Sequence, residues 1–345
     1  GVEKRSKVRS RIVADQLVRL VKEADHVVIM GHRMSDLDAI GAAEGVLRIC
    51  KICDVPAVIA VRRDATLAGS LIDALCRAGQ ADDFIDPKAA LPIISKKTLC
   101  VVVDTYQLGL VESREILERC GKVAVIDHHR KGVGFIEHAD LVCHEPYSSS
   151  ASELVTELLQ YVGDRDDKPN RVEAEGLLSG ILLDTQDFTL HTGVRTFEAA
   201  AALRRYGAET ERVRQLFDVT MVEYAAKAEL VERARMYKNC AISVGGEIAP
   251  EARVAIAQAA NDLLRIQGVD ASFVAVQVGT GVNISARSLG AVNVQVIMEA
   301  LGGGGHQTMA AAQLKHITPE AARSRIETAI DNYWASQKKS GAEEK

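Results

Sequence analysis

Short apolar runs alternate with helical patterns through the first half of the chain. Residues 1–25 have the periodicity of an amphipathic helix, and the later runs are rich in β-branched residues, as in strands buried on both faces. This alternation predicts an α/β domain whose mostly parallel sheet is covered by helices on both faces. The predicted strands are 27–30, 55–61, 99–104 and 122–127, and the predicted helices are 39–52, 67–77, 113–119, 151–162 and 171–183.

The second half begins with a long helical pattern and ends with a second α/β alternation. Residues 195–238 contain no strand candidate and are predicted to form a helical connector. After it we predict strands at 253–258, 273–279, 283–287 and 311–315, and helices at 261–266, 293–301 and 319–334. The chain is therefore expected to have a domain at 1–194, the connector at 195–238, and a smaller α/β domain with a mixed sheet at 239–345.

Composition and charge narrow the class of protein. A net charge of −5 with 4% aromatic residues argues against binding of long DNA or RNA, and a small anionic ligand held by metal ions remains compatible. The odd count of seven cysteines favours a reducing compartment. We expect no membrane contact by this fragment, because no apolar run reaches the roughly 18 residues of a membrane helix and no signal peptide opens it. The first residue, Gly1, is typical of an excised portion of a longer protein.

Histidine and aspartate residues follow three of the predicted strands. Strand 27–30 leads to His32, Asp36 and Asp38, strand 99–104 ends at Asp104, and strand 122–127 is followed by His128 and His129, with Asp184 closing a later helix. The carboxyl ends of parallel strands share one edge of a sheet, where ligands collect. Taken singly, each aspartate could be a turn residue or helix N-cap, and the histidine pair a surface feature. Their joint placement favours a site for hard or borderline divalent cations such as Mn²⁺, where two ions could share a carboxylate and activate a water for attack on phosphorus.

A second set of candidate residues lies near the C-terminus. Four glycines at 302–305, followed by His306, could form a backbone nest for an anion, or they could cap the preceding helix. Arg287, at the end of a predicted strand, could bind a phosphate with both guanidinium arms or be an ordinary surface arginine.

These segments together resemble the motifs of the DHH phosphoesterases. Gly31-His32 with Asp36-Leu37-Asp38, Val103-Asp104-Thr105, Asp127-His128-His129 and Leu183-Asp184-Thr185 resemble the family's four motifs, in the family's order. Ser285-Ala286-Arg287-Ser288 and the glycine run ending at His306 resemble the two signatures of the DHH-associated C-terminal domain. The resemblance covers roughly residues 25–320.

The resemblance implies a role for each matching residue. His32, Asp36 and Asp104 would hold one divalent ion, and Asp38, Asp104, His128 and Asp184 a second, with Asp104 bridging the two and Mn²⁺ the expected metal. His129 would contact a phosphate or donate a proton to the leaving oxygen. Arg287, Gly303, Gly304, Gly305 and His306 would bind the substrate from the second domain.

Finer matches resemble the catalytic part of GdpP-type cyclic di-AMP phosphodiesterases. They lie at 36–43, 145–151, 188–193 and 293–299, and they imply hydrolysis of cyclic di-AMP to linear pApA. In that family the catalytic part follows two membrane helices, a PAS domain and a degenerate GGDEF domain, which implies a membrane-anchored protein whose catalytic part faces the cytoplasm. The nanoRNase-type relatives usually carry Asp-Gly-Asp where this chain has Asp36-Leu37-Asp38. The alternative function is that of an oligoribonuclease or pApA phosphatase, and a weaker alternative is a non-catalytic nucleotide sensor. Whether the protein forms a homodimer is left open.

Overall fold

The computed structural model describes residues 2–129, 134–249, 252–305 and 307–343. They form two units, Gly1–Asp218 and Val219–Lys345, each with its own sheet. The boundary lies inside the predicted connector 195–238, so part of that segment belongs to each unit.

The first unit is built on a six-stranded sheet. Its strands are β1 (Val27–Met30), β2 (Ala57–Ala60), β3 (Phe84–Ile85), β4 (Leu99–Val103), β5 (Lys122–Asp127) and β6 (Leu141–His144). They lie in the order β3-β2-β1-β4-β5-β6, and every neighbouring pair is parallel. The predicted parallel sheet is confirmed. Because the strand order reverses between β1 and β4, a crevice for ligands is expected at the carboxyl ends of these two strands.

Helices cover both faces of this sheet, as predicted. They are α1 (Val2–Glu23), α2 (Leu37–Ile52), α3 (Gly69–Leu75), α4 (Pro87–Ala90), α5 (Arg114–Arg119), α6 (Ala151–Leu159), α7 (Arg171–Thr185), α8 (Val194–Arg205) and α9 (Thr210–Gln215). Successive side chains of β1 enter two different cores: Val27 and Ile29 pack with α1, α2, α6 and α7, whereas Val28 and Met30 pack with α4 and α5. This alternation explains why β1 reads as a continuous apolar run.

The second unit has a smaller mixed sheet. Its elements are α10 (Met221–Glu232), β7 (Arg235–Tyr237), β8 (Cys240–Gly245), α11 (Val254–Leu263), β9 (Ala271–Val278), β10 (Gly281–Ser288), α12 (Val294–Glu299), β11 (Gly304–Gly305), β12 (Met309–Leu314) and α13 (Pro319–Glu343). The strand order is β11-β12-β10-β9-β8-β7, in which β8 and β9 are parallel and the other pairs antiparallel.

The predicted strand at 253–258 is wrong, because these residues begin helix α11. The buried residues of α11 recur at helical spacing: they are Ala255, Ile256, Ala259, Ala260 and Leu263. The alanines of this segment favour a helix over the strand suggested by its apolar character. Strands β7 and β8 precede α11 and were not predicted. Among the described helices, none is both long enough and apolar enough to cross a bilayer.

Candidate metal centre

The carboxyl ends of the neighbouring strands β1 and β4 bring together a first group of ligand atoms. His32 follows β1, Asp36 begins helix α2 and Asp104 follows β4, and their ligand atoms lie within 4.8 Å of one another. The His32 Nε2 atom is 3.2 Å from Asp104 Oδ2 and 3.8 Å from Asp36 Oδ1. One imidazole and two carboxylates thus face a single point, as the ligands of a divalent cation do.

A second group lies beside the first. Ligand atoms of Asp38, Asp104, His128 and Asp184 also lie within 4.8 Å of one another. The His128 Nε2 atom is 3.1 Å from Asp184 Oδ2, 3.3 Å from Asp104 Oδ1 and 3.8 Å from Asp38 Oδ2. The structure therefore brings together all six residues for which the resemblance implied a metal-binding role.

Asp104 belongs to both groups and uses a different oxygen in each. Its Oδ2 faces His32 and its Oδ1 faces His128, and the residue is only 3% exposed. The backbone of Asp104 has φ +60°, a left-handed conformation that aspartate tolerates better than most residues. Its N–H donates to the carbonyl of Ile126 on β5 at 2.9 Å. This hydrogen bond ties the turn that presents the shared carboxylate to the neighbouring strand.

Helix N-termini fix the orientation of two further carboxylates, those of Asp36 and Asp38. Asp36 is the N-cap of α2, and its Oδ1 accepts hydrogen bonds from the N–H groups of Asp38 and Ala39, both at 3.0 Å. Asp38 is fully buried and accepts hydrogen bonds from the first residues of α6, the N–H groups of Ala151 and Ser152, both at 2.8 Å. The positive end of α6 thus holds a side chain of the protein itself.

Glycines allow α2 and α7 to approach closely, which brings Asp38 and Asp184 together. A Cβ atom on Gly41 of α2 would lie 2.4 Å from the carbonyl oxygen of Gly176 on α7. A Cβ atom on Gly180 would lie 2.8 Å from both the Cα and the Oδ1 of Asp38. The helix contact therefore requires glycine at these positions.

The pKa values of several residues in the two ligand groups are strongly shifted. Burial, together with the nearby Asp104 and Asp184 carboxylates, raises the pKa of Asp38 well above its usual value. Burial lowers the pKa of His32, but hydrogen bonds with Asp104 and Asp36 outweigh it and raise that pKa to about 11. In the absence of a metal ion, shared protons thus offset the crowding of carboxylates. A bound cation would displace these protons and supply the compensating charge itself.

Two buried ligand atoms lack a well-aligned hydrogen bond, and they favour a metal ion. Asp104 Oδ1 and His128 Nε2 are both inaccessible to solvent, and although they lie 3.3 Å apart neither makes a hydrogen bond of good geometry. A buried polar atom whose hydrogen-bonding capacity is not satisfied costs free energy, and metal coordination would satisfy both atoms. The donor set of imidazole and carboxylate groups, without thiolate, suits Mn²⁺ or another hard or borderline divalent cation.

The second histidine of the pair has a buried partner. His129 Nδ1 is 2.7 Å from Oδ1 of Asp127, which is fully buried. Burial lowers the pKa of His129, but the hydrogen bond with Asp127 and the charges of Asp104 and Asp127 together outweigh it, so that the pKa lies above its usual value. The His129 side chain is 27% exposed, so the ring is anchored at Nδ1 and still reaches solvent at the edge of the metal groups. A ligand atom of His129 lies within 4.8 Å of those of Asp104 and His128.

Comparison with protein-family models decides the family. Residues 26–181 match the N-terminal domain of the DHH family, and residues 249–335 match the DHHA1 domain. The chain carries a DHH domain and a DHHA1 domain. The recognition of this family from its motifs is confirmed.

Curated relatives with these domains match nearly the whole chain. The cyclic-di-AMP phosphodiesterase GdpP of Geobacillus thermodenitrificans is 46% identical over 98% of this chain and 52% of its own length. The cyclic-di-AMP phosphodiesterase PdeA of Listeria monocytogenes is 40% identical over 97% of this chain and 52% of its own length. This chain therefore spans about half the length of these relatives.

Solved structures support the fold. An exopolyphosphatase-related protein from Bacteroides fragilis superimposes with a TM-score of 0.79, at 21% identity, over 93% of this chain and 96% of that protein. RecJ from Thermus thermophilus, in complex with Mn²⁺, superimposes with a TM-score of 0.54, at 16% identity, over 93% of this chain and 55% of RecJ. At these identities the similarity concerns the fold alone.

Within the DHHA1 domain, Arg287 lies on β10 and is largely buried. One guanidinium nitrogen donates to Ser285 Oγ at 3.0 Å and to the carbonyl of Ala286 at 2.9 Å, whereas its Nε makes no hydrogen bond. Burial lowers the pKa of Arg287 to about 10. No carboxylate in the described part of the chain forms an ion pair with it. A buried guanidinium of this kind suits an anionic ligand.

The glycine run of the DHHA1 domain first caps a helix and then forms a short strand. The N–H groups of Gly302 and Gly303 donate to carbonyls of α12, which is the helix cap foreseen as one alternative. Gly304 and Gly305 form β11 and pair with β12, where a Cβ on Gly305 would lie 2.4 Å from the Cα of Ala310. The N–H of Gly303 is thus already engaged within the protein. His306 lies outside the described residues.

The sequence interpretation did not find the parts that orient the ligands. It proposed no role for Asp127, and it did not foresee that the first N–H groups of α6 hold Asp38. The spacing of Gly41 with Gly45 and of Gly176 with Gly180, four residues apart on each helix, was the signal that could have predicted the close contact of α2 and α7.

Proposed function

We propose that this chain is the catalytic part of a metal-dependent phosphodiesterase that hydrolyses cyclic di-AMP to linear pApA. The observation that carries the proposal is the shared Asp104 carboxylate, whose two oxygens face two adjacent groups of ligand atoms. A carboxylate that bridges two divalent ions is typical of enzymes that cleave phosphodiesters. The names of the similar GdpP and PdeA proteins support cyclic di-AMP as the substrate.

The two groups of residues would hold two divalent ions, with Mn²⁺ preferred. His32, Asp36 and Asp104 would form one site, and Asp38, Asp104, His128 and Asp184 the other. When bound, the ions would supply a water of lowered pKa and positive charge beside the phosphate. The N–H groups of α6 keep Asp38 oriented before a metal binds, which limits the reorganisation that binding requires.

The histidine beside these groups is suited to a proton transfer. Cleavage of one 3′–5′ phosphodiester adds water, breaks the bond from phosphorus to the 3′ oxygen, and leaves that oxygen in need of a proton. Asp127 contacts His129 Nδ1 and helps to raise the pKa of the imidazole, which favours its protonated form, from which Nε2 would donate the proton to the leaving oxygen. Such a positioned acid typically contributes about 10²–10⁴ in rate.

We also propose that residues 239–345 bind the substrate, with Arg287 as the principal phosphate contact. Its buried guanidinium has no carboxylate partner among the described residues, and a phosphate would supply the missing charge. Gly303, Gly304, Gly305 and His306 are expected to contribute to substrate binding as well. Residues 1–194 would form the metal-binding catalytic part, and 195–238 would join the two.

An assay panel tests the proposal. The protein is incubated with Mn²⁺ and cyclic di-AMP, cyclic di-GMP or pApA, and products are separated by chromatography, with a chelator-treated sample as control. We expect pApA from cyclic di-AMP in the presence of metal only. Faster consumption of pApA than of cyclic di-AMP would favour an oligoribonuclease, a class represented by a curated relative from Thermus thermophilus at 26% identity. Tight binding of cyclic di-AMP without any turnover would refute the proposed activity and favour a sensor.

A further inference from the structure

Exposed aromatic side chains lie on segments that are hydrogen-bonded to, or follow, the residues of the metal centre. The chain has only one Trp, seven Tyr and six Phe. Tyr147 is 96% exposed, the largest fraction among the large apolar side chains in the described part of the chain. A single exposed apolar residue is common and needs no explanation by itself. Tyr147 is of interest because the turn that carries it is attached to residues of the metal centre.

Hydrogen bonds hold the turn that carries Tyr147 against the metal centre. The N–H of Glu145 donates to the carbonyl of Asp127 at 3.0 Å, and the N–H of Ser148 closes the turn by donating to Glu145 at 3.0 Å. Three residues later, α6 begins with the N–H of Ala151 that binds the carboxylate of Asp38. The residues on either side of Tyr147 are therefore attached to Asp127 and to the ligand Asp38, and the ring itself stands in solvent.

A second aromatic element follows the metal ligand Asp184. Phe188 lies four residues after it, and its ring stacks on Phe197 of α8, with centroids 5.2 Å apart and planes 25° apart. Three consecutive residues, Gln186, Asp187 and Phe188, have positive φ angles of 46°, 56° and 63°. Left-handed conformations cost free energy in residues other than glycine, and such strain is often found at functional sites. Phe197 remains 55% exposed despite its stacked partner.

Buried polar contacts connect the two aromatic elements. The Glu153 carboxylate accepts hydrogen bonds from Ser149 Oγ, next to the Tyr147 turn, and from Thr196 Oγ1, next to Phe197, the latter at 2.8 Å. An Arg195 nitrogen is 3.1 Å from Glu145 Oε2 in the same turn. The turn and the start of α8 are thus neighbours. We call Tyr147, Phe188 and Phe197 the aromatic rim.

We propose that the aromatic rim is the stacking surface for the nucleobases of the substrate, with Tyr147 as the principal residue that distinguishes a nucleotide from a base-free phosphodiester. This inference rests on the proposed function, which places the scissile phosphate at the metal groups. In a dinucleotide held there by a phosphate, each base is one ribose away from a phosphate, and the exposed ring of Tyr147, on a turn attached to Asp127 and followed by the N–H that binds Asp38, can stack on one of them. Stacking of a base on an aromatic side chain is worth about 5- to 150-fold in affinity.

The test compares variants on substrates with and without bases. We expect Tyr147→Ala, in the Mn²⁺-loaded protein, to raise KM for cyclic di-AMP at least about fivefold while kcat changes less than about twofold. Tyr147→Phe should restore the wild-type KM, because the ring is retained. The matched control is Tyr161→Ala, since Tyr161 is also exposed but lies just beyond the opposite end of α6. Phe197→Ala should act in the same direction as Tyr147→Ala.

A base-free probe separates stacking from a structural effect. On the cyclic ribose phosphate in which hydrogen replaces both adenines, Tyr147→Ala and wild type should have the same kcat/KM. An unchanged KM for cyclic di-AMP, or an equal loss on the base-free ring, would overturn the inference. If the wild type leaves cyclic di-AMP intact, the proposed activity has failed. The dissociation constants of the same variants for cyclic di-AMP, measured by calorimetry, then decide the inference: dependence on the Tyr147 ring supports it, and no binding or equal binding overturns it.

Discussion

Replacing Asp104 with asparagine tests the metal centre with a small change in shape. Asp104 has φ +60°, so alanine at this position would add backbone strain that asparagine avoids. Asparagine retains one acceptor oxygen but loses the negative charge and presents an amide nitrogen in place of the other oxygen. Because Asp104 belongs to both ligand groups, this single substitution weakens both metal sites.

The expected magnitudes follow from the ligand groups and the size of the first unit. A metal ion at about 100 times its dissociation constant stabilises the folded state by about 2.7 kcal/mol. In a unit that spans Gly1–Asp218, this raises Tm by about 5–11 °C, at about 2–4 °C per kcal/mol. In Asp104→Asn we expect a metal-induced shift below about 2 °C. Activity should fall at least about 10³-fold, because loss of one electrostatic group costs about 10²–10³ and here both sites are affected.

The assay measures thermal unfolding with and without Mn²⁺, followed by turnover of cyclic di-AMP. The control is Asp64→Asn, which neutralises an exposed aspartate in a turn. It should leave the Mn²⁺-induced shift in Tm and the turnover of cyclic di-AMP unchanged. Metal-free Asp104→Asn must still unfold cooperatively, so that lost activity is not lost folding. If Asp104→Asn retained the metal-induced shift together with more than about a tenth of the activity, the assignment of Asp104 as a shared ligand would be refuted.

Three further changes probe helix packing, proton transfer and the pH dependence of stability in the first unit. Gly180→Ala would place a Cβ 2.8 Å from a ligand carboxylate and should cost about 1–3 kcal/mol in unfolding free energy, measured by urea denaturation. The control Gly69→Ala, with nothing within 4 Å of its Cβ, should be neutral. Equal effects of the two substitutions would contradict the packing argument. Asp127→Asn should lower kcat about 10²–10⁴-fold through His129 while the Mn²⁺-induced Tm shift persists, and a loss of that shift would show a metal-binding role instead. Burial raises the pKa of Glu44 from 4.5 to about 8, so its neutral form stabilises the folded state below pH 4.5 and this contribution is lost as pH rises to about 8. Glu44→Gln should remove about 3–6 kcal/mol of the change in unfolding free energy between these pH values. If the unfolding free energies of variant and wild type ran parallel with pH, the raised pKa of Glu44 would be excluded.

The apolar pattern predicted the first sheet well because its central strands are buried on both faces. Strands β1 and β5 have the predicted bounds, and the residues that follow β1, β4 and β5 do meet at one edge of the sheet. The pattern could not reveal β3, which has two residues, and the start of α11 was mistaken for a strand because a short apolar run fits either structure.

The ligand residues could be found from their position after strands, but their orientation could not. Asp38 is held by main-chain N–H groups of α6, more than a hundred residues later in the chain, and no local pattern encodes such a contact. Likewise, Asp104 has a left-handed backbone and is tied to β5 by a hydrogen bond that no local pattern encodes. Long-range hydrogen bonds of this kind become visible only when the tertiary structure is known.

The hydrogen bonds from α6 to Asp38 determine which substitutions the metal centre tolerates at the start of this helix. Both donors are peptide N–H groups, so they are independent of the side chains at positions 151 and 152. Any residue that fits the space at these positions supplies the same donor, with the exception of proline, which has no N–H. Sequence drift at the start of α6 can therefore proceed without loosening the carboxylate, and Ala151→Pro is the change that removes a donor.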